Sequence, residues 1–149
     1  MDFFSIQWNE LIIHSVKLAI AFVLALPIAI NREHQSNGAG LRTFPLVSIA
    51  ACAYMLVGIQ AYPTAEAQAR VVYGIITGMG FIGGGAILKE QRRVAGTATA
   101  AGIWNTGAIG ISVAYENYEI AILLSAVSFF IFQFSRPLKR QAKNDREDI

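Results

Sequence analysis

The chain has 149 residues, enough for one domain, and it is 54% hydrophobic with only 15% charged residues. A soluble domain carries about 25% charge, so a chain this short, with mean hydropathy +0.46, could not cover itself with polar surface in water. A net charge of +2 and a single cysteine, Cys52, leave lipid as the expected solvent and exclude an internal disulfide framework or a Cys-rich metal site.

The N-terminus, MDFFSIQWNE, is acidic and lacks the basic region of a signal peptide. The apolar run that follows is therefore expected to be retained as a first span. A bilayer core needs about 20 apolar residues per helix, and five segments qualify: 11–30, 44–62, 71–88, 97–115 and 118–134. Residues 1–134 thus form an all-α transmembrane domain. Residues 135–149 form a short tail, basic first and acidic last, suited to anionic lipid.

In the first span, Glu10, His14 and Lys17 share a face at i, i+4 and i+7. Lys17 lies about two turns into the lipid and is expected to snorkel outward, with pairing to an acid inside the bundle as the alternative. Pro27 predicts a kink near the end of this span. At the mouth, Arg32 and Glu33 close span one, Arg42 and Thr43 open span two, and Glu90 closes span three. Glu33 and Glu90 are candidates for holding a hydrated Mg²⁺ at the membrane face, or else solvated loop charges beside basic neighbours. Residues 30–43 and 87–100 also resemble each other, each carrying a cation, a glutamate, Ala-Gly and then Thr43 or Thr99. This suggests two parallel helix-pair repeats.

The third span contains Gly74, Gly78, Gly80, Gly83, Gly84 and Gly85. In water each costs about 1 kcal/mol relative to Ala; in lipid, small residues let helix backbones approach. Glycine on several faces predicts a third helix packed centrally against the small residues of span four. The alternatives are a break at Gly83–Gly85 and a glycine face that serves a homo-oligomer. Bulky span five, with Phe129, Phe130, Phe132 and Phe134, is expected to face lipid or a partner. Gly78-Met-Gly80-Phe-Ile-Gly83 spells a dinucleotide fingerprint, but no strand precedes it and no acid follows at the required distance.

Span four is the least apolar, with Thr99, Asn105 and Thr106 inside it. Intramembrane polar groups face protein or line a path. Counting cations, one side receives ten Lys or Arg and the other Arg70 alone, with Lys17 inside a span. That asymmetry predicts the N-terminus outside and the C-terminus in the cytoplasm. Trp8, Tyr62, Tyr73, Tyr115 and Tyr118 fall at the outer ends of spans, as interfacial rings prefer.

Three blocks, AGLRTFPLVS at 39–48, GMGFIGGGAIL at 78–88 and VAGTATAAGIWNTGAIGISVAY at 94–115, together resemble the MgtC/SapB family of bacterial membrane proteins. The resemblance implies a multi-pass inner-membrane protein tied to magnesium limitation, acid stress or intracellular survival and virulence. It further implies a regulator of other membrane machinery, with the ATP synthase as a partner. The longer members carry a soluble C-terminal domain, and this chain is expected to be the short form. The residues themselves offer no catalytic constellation, no metal-ligand cluster and no cofactor site. A non-enzymatic protein with no nucleic-acid partner is expected; the alternative is a magnesium or small-ion transporter with its path near Asn105.

Overall fold

The computed structural model describes residues 7–33, 39–90 and 93–147, with side chains through Ile87 and again over 94–135. Five helices follow in chain order: α1 (Trp8–Glu33), α2 (Thr43–Ala61), α3 (Ala65–Gly85), α4 (Thr97–Ala114) and α5 (Tyr118–Glu147). A two-stranded antiparallel ribbon, β1 (Leu88–Glu90) with β2 (Arg93–Ala95), joins α3 to α4, pairing Leu88 with Ala95. Three helical segments are long and apolar enough to cross a membrane: Trp8–Glu33, Thr43–Ala61 and Tyr118–Ser135. α4 falls below that level through its threonines and Asn105, and α3 because it begins at Ala65 and takes in Glu66, Gln68 and Arg70.

The hub is α4, not α3. α4 packs against all four other helices, and its glycines are the crowded ones. A Cβ at Gly110 would strike the Ser48 carbonyl and come within 2.9 Å of the Cys52 nitrogen. One at Gly102 would lie 2.8 Å from the Phe44 ring, and one at Gly107 would strike the Met79 sulfur. These close approaches let α2 and α4 share a core of Phe44, Cys52, Met55, Ile103, Ile109 and Val113, to which α1 adds Ile28 and Ala29.

The expectation of a central, glycine-packed third helix is therefore corrected. Of its six glycines, only Gly83 touches another helix, with its would-be Cβ 3.2 Å from the Ala100 carbonyl. Gly74, Gly78, Gly80, Gly84 and Gly85 would meet nothing within 4 Å. Only Met79 and Gly83 of α3 are buried, because the helix lies at the edge of the bundle. The triple glycine ends the helix: the Ala86 N–H donates back to the Gly83 carbonyl at 3.0 Å. α3 also starts earlier than the apolar run, at Ala65. The Thr64 hydroxyl accepts from the Ala67 N–H, and Glu66 pairs with Arg70 one turn on.

Span five is corrected in part. Phe130 and Phe134 are outward, but Phe132 turns in and is buried. Serines stitch α1 to its neighbours: the Ser48 hydroxyl donates to the Ala21 carbonyl at 2.9 Å, and Ser125 to the Leu24 carbonyl at 2.7 Å. The two proposed repeats share a local device. The Gly40 carbonyl accepts from the Phe44 N–H and the Gly96 carbonyl from the Ala100 N–H, each opening the next helix. Gly96 needs its glycine, since its φ is +85° and a Cβ would collide with the Ala86 carbonyl.

Packing at these glycines predicts opposite outcomes. Gly110→Ala should lower stability by about 1–3 kcal/mol. Gly74→Ala and Gly78→Ala should leave it unchanged or raise it by up to about 1 kcal/mol. Reversible unfolding in mixed micelles reads both, and equal losses at Gly74 and Gly110 would contradict the hub at α4.

Candidate functional site

At one end of the bundle, α1 finishes with a polar pair where most spans would end in solvent. Arg32 in its last turn favours the negative end of the helix dipole, yet it is only 8% exposed. Its Nη2 donates to the Thr99 hydroxyl at 2.6 Å, and its guanidinium carbon sits 5.1 Å from the centre of the Phe132 ring. Thr99 lies in the first turn of α4, and Phe132 comes from α5. Next to them, the Asn31 amide donates to Gln133 Oε1 at 3.0 Å. A hydrogen bond carrying a full charge, together with a cation–π contact out of water, thus locks α1, α4 and α5 at one level.

Glu33 leaves this cluster and serves the loop. Its Oε2 accepts the Leu41 N–H at 2.7 Å, and Gly40 packs so closely on it that a Cβ would strike the carboxylate. Arg42 stands at the start of α2 with an exposed side chain that makes no capping bond, and Thr43 beside it is half-buried. The Glu90 side chain and the tail side chains lie outside the described residues, so the proposed Glu33–Glu90 pair has one placed member.

Farther along α4, the Asn105 amide donates to Ser128 on α5 at 2.6 Å. Thr106 is fully buried and donates to the Gly102 carbonyl of its own helix at 2.7 Å. Thr99 and Thr106, seven residues apart on α4, are both buried. Each of these hydroxyl and amide groups has a protein partner.

The third polar contact is at the opposite end. Lys17 pairs with Glu116 at 2.8 Å and also reaches the Ala114 carbonyl at 3.4 Å. Lys17 thus reaches to the end of the bundle, as snorkelling expects, and meets an acid whose side chain is 64% exposed rather than one inside the bundle. Glu116 occupies the left-handed position that ends α4, with φ +64°. The Asn117 N–H bonds back to Ser112 and the Glu116 N–H to Val113, a Schellman ending that normally takes glycine. A glutamate there accepts backbone strain, and its carboxylate meets the lysine. The hydrogen bond from Lys17, and then its charge, hold the Glu116 carboxyl below its ordinary value of 4.5. His14 lies one turn before Lys17, 3.6 Å from Glu10.

Arg32 and Thr99 were marked by sequence and are brought together. Asn105 and Thr106 are neighbours in α4 but bond to different partners, and Glu33 and Arg42 belong to the loop. Asn31, Ser128, Phe132 and Gln133 were missed. Gln133 had a signal, as the one polar residue in the run 129–134; Phe132 had none, because its direction depends on the rotation of α5. Among the described residues, no group of three His, Cys, Asp or Glu could hold a metal ion.

Residues 18–141 match the profile of the MgtC family. The chain belongs to that family. It is 30% identical over 112 residues to the protein MgtC of Salmonella typhimurium, covering 75% of this chain and 48% of that one. It is 32% identical over 122 residues to the protein SrpB of Synechococcus elongatus, covering 73% and 67%. It is 29% identical over 136 residues to an Escherichia coli protein named "Putative magnesium transporter YhiD", covering 87% and 63%. This chain thus spans about half to two thirds of these curated relatives. No solved structure matches it significantly.

Two predictions follow from the polar contacts of this MgtC-family chain. In double-mutant cycles, Arg32→Met with Thr99→Val should show coupling of about 1.5–3 kcal/mol, as for a hydrogen bond to a charged group. Asn105→Leu with Ser128→Ala should show about 0.6 kcal/mol, the usual value between membrane helices. Equal couplings would mean that the charge adds nothing. For Glu116, the lowered folded-state pKa means that its contribution is fully present above the ordinary 4.5. It is lost as pH falls through the lower folded value. Glu116→Gln should therefore flatten the acid limb of stability below about pH 5, measured by unfolding midpoints from pH 7 to pH 3. An unchanged acid limb would contradict the pair.

Proposed function

We propose that this chain is a non-enzymatic, five-span protein of the bacterial inner membrane that regulates other membrane machinery, with the ATP synthase as the first partner to test, under magnesium limitation, acid or intracellular stress. The N-terminus is outside and the C-terminus cytoplasmic in this reading, supported by the ten-to-one distribution of cations. α3 and α4 are then spans too, α4 among protein neighbours and α3 at the edge of the bundle.

The observation that carries the proposal is that the polar side chains inside the bundle are committed to protein partners. Arg32 bonds to Thr99, Asn105 to Ser128, and Thr106 to its own backbone. Such groups hold an arrangement fixed. The outer surface is broad and apolar, with Phe81, Tyr73 and Phe134 at 87%, 73% and 63% exposed, a face open to lipid or to a partner within the membrane.

Magnesium transport is the second reading, favoured by the name of the YhiD relative. Against it stands the commitment of the Asn105 amide. Mg²⁺ sheds water reluctantly and is held mainly by carboxylates and retained waters; the described part of α4 has none of these acids, and a buried guanidinium stands near its start.

Magnesium flux into proteoliposomes with an internal indicator separates the two readings. Wild type and Asn105→Leu should both match empty liposomes while a known magnesium carrier gives signal. Saturable flux in the wild type, lost in Asn105→Leu, would overturn the regulatory reading. Photo-crosslinkers at Phe81 and Phe134 should then trap subunits of the ATP synthase in native membranes; their absence from the crosslinked products would eliminate that partner.

A further inference from the structure

The open glycine face of α3 is one wall of a groove, and its chemistry changes along its length. The groove lies between α2 and α3 and encloses ≈ 660 Å³, within the range of about 300–1,000 Å³ that holds small molecules. Leu46, Ala50 and Tyr54 of α2 face Gly74, Gly78 and Ile82 of α3 across it. The two glycines provide the width, because the space over each is empty to 4 Å. No charged residue is among those that line it. From Leu46 to Tyr62 the groove runs about 24 Å at 1.5 Å per residue, against a hydrocarbon thickness of about 30 Å. α2 is itself apolar and long enough to cross, which places the groove at the depth of acyl chains.

One end is cationic. Arg42 precedes Leu46 by four positions and so extends the same face of α2 by one turn. Its backbone is already helical, with φ −89° and ψ −44°, and its side chain is exposed. Helical side chains tilt toward the N-terminus, so its stem leads out of the groove toward the level of headgroups. It belongs to none of the three ion pairs among the described residues. The acid that reaches this loop, Glu33, is bonded to the Leu41 N–H.

We propose that this groove binds one anionic phospholipid, with an acyl chain between α2 and α3 and the headgroup phosphate on Arg42. An apolar slot ending in a single guanidinium complements an amphiphile with one charged end. A guanidinium holds a phosphate by paired, charge-assisted hydrogen bonds. A helix from a second copy would use the slot but would not require the cation. The inference needs α2 and the α3 face beside it in the membrane and is independent of the regulatory reading.

Native mass spectrometry of the purified chain with added phosphatidylglycerol or phosphatidylcholine tests it. The expected result is a one-to-one phosphatidylglycerol adduct that phosphatidylcholine does not match. Arg42→Ala should bind phosphatidylglycerol about fivefold more weakly, the effect of one basic residue near a lipid surface, and Arg42→Lys, which keeps the charge but not the paired hydrogen bonds, should fall between the wild type and Arg42→Ala. Gly78→Leu, which has room for its side chain, should lose the adduct while the melting temperature stays put; Gly74→Leu, one turn away, is a second groove-filling variant. Equal binding of both lipids with no effect of Arg42→Ala would overturn the headgroup contact. An adduct that survives both filled grooves would overturn the site. A dimer that disappears on filling the groove, with lipid binding unchanged, would replace the lipid with a second copy of the chain.

Discussion

The arrangement depends on how closely α4 can approach α2. At Gly110 a single added carbon would strike the Ser48 carbonyl, so the two helices meet with backbone nearly on backbone. In lipid there is little hydrophobic force between helices, and association comes from packing and from hydrogen bonds across the contact. Once α4 seats on α2, its other faces reach α1, α3 and α5. Thr99 comes under Arg32, and Asn105 comes opposite Ser128. The polar contacts are consequences of that seating and then hold it in place.

The polar ties are divided along the bundle. At one end a guanidinium is held by a hydroxyl and an aromatic face; at mid-length an amide meets a hydroxyl; at the other end a lysine meets a glutamate in a strained turn. Each polar tie falls on helices already in apolar contact, which limits the cost of bringing them out of water. Glu116 is the clearest case of a local penalty kept for a distant contact. Its backbone position suits glycine, and its carboxylate faces a lysine ninety-nine positions earlier in the chain.

This chain belongs to the MgtC family, and it spans only about half to two thirds of the relatives compared. What it shares with them is the helical membrane part. Within that part, the basic mouth formed by Arg32 and Arg42 is split: one cation is buried as a structural pin, and the other is exposed beside an apolar groove. Two residues of the same type, ten positions apart, thus acquire different chemistry from their surroundings.

Composition and hydropathy were enough for the helical class and the places of the five helices, because these depend on averages over about 20 residues; they did not give the ends, since α3 starts at Ala65 and α5 runs on to Glu147. The three motif blocks were enough for the family. Thr99 and Asn105 were legible as buried partners of something, since polar groups in an apolar helix must find one. The pairings themselves were not legible: that Thr99 meets Arg32 and Asn105 meets Ser128 depends on how α1 and α5 are placed and rotated against α4. The glycines show the same limit. The count in α3 exceeds that of any other helix, yet it is Gly102, Gly107 and Gly110 of α4 that meet neighbouring atoms. A glycine permits close approach without causing it. Which permission is used depends on where the other helices go, and only the tertiary structure decides that.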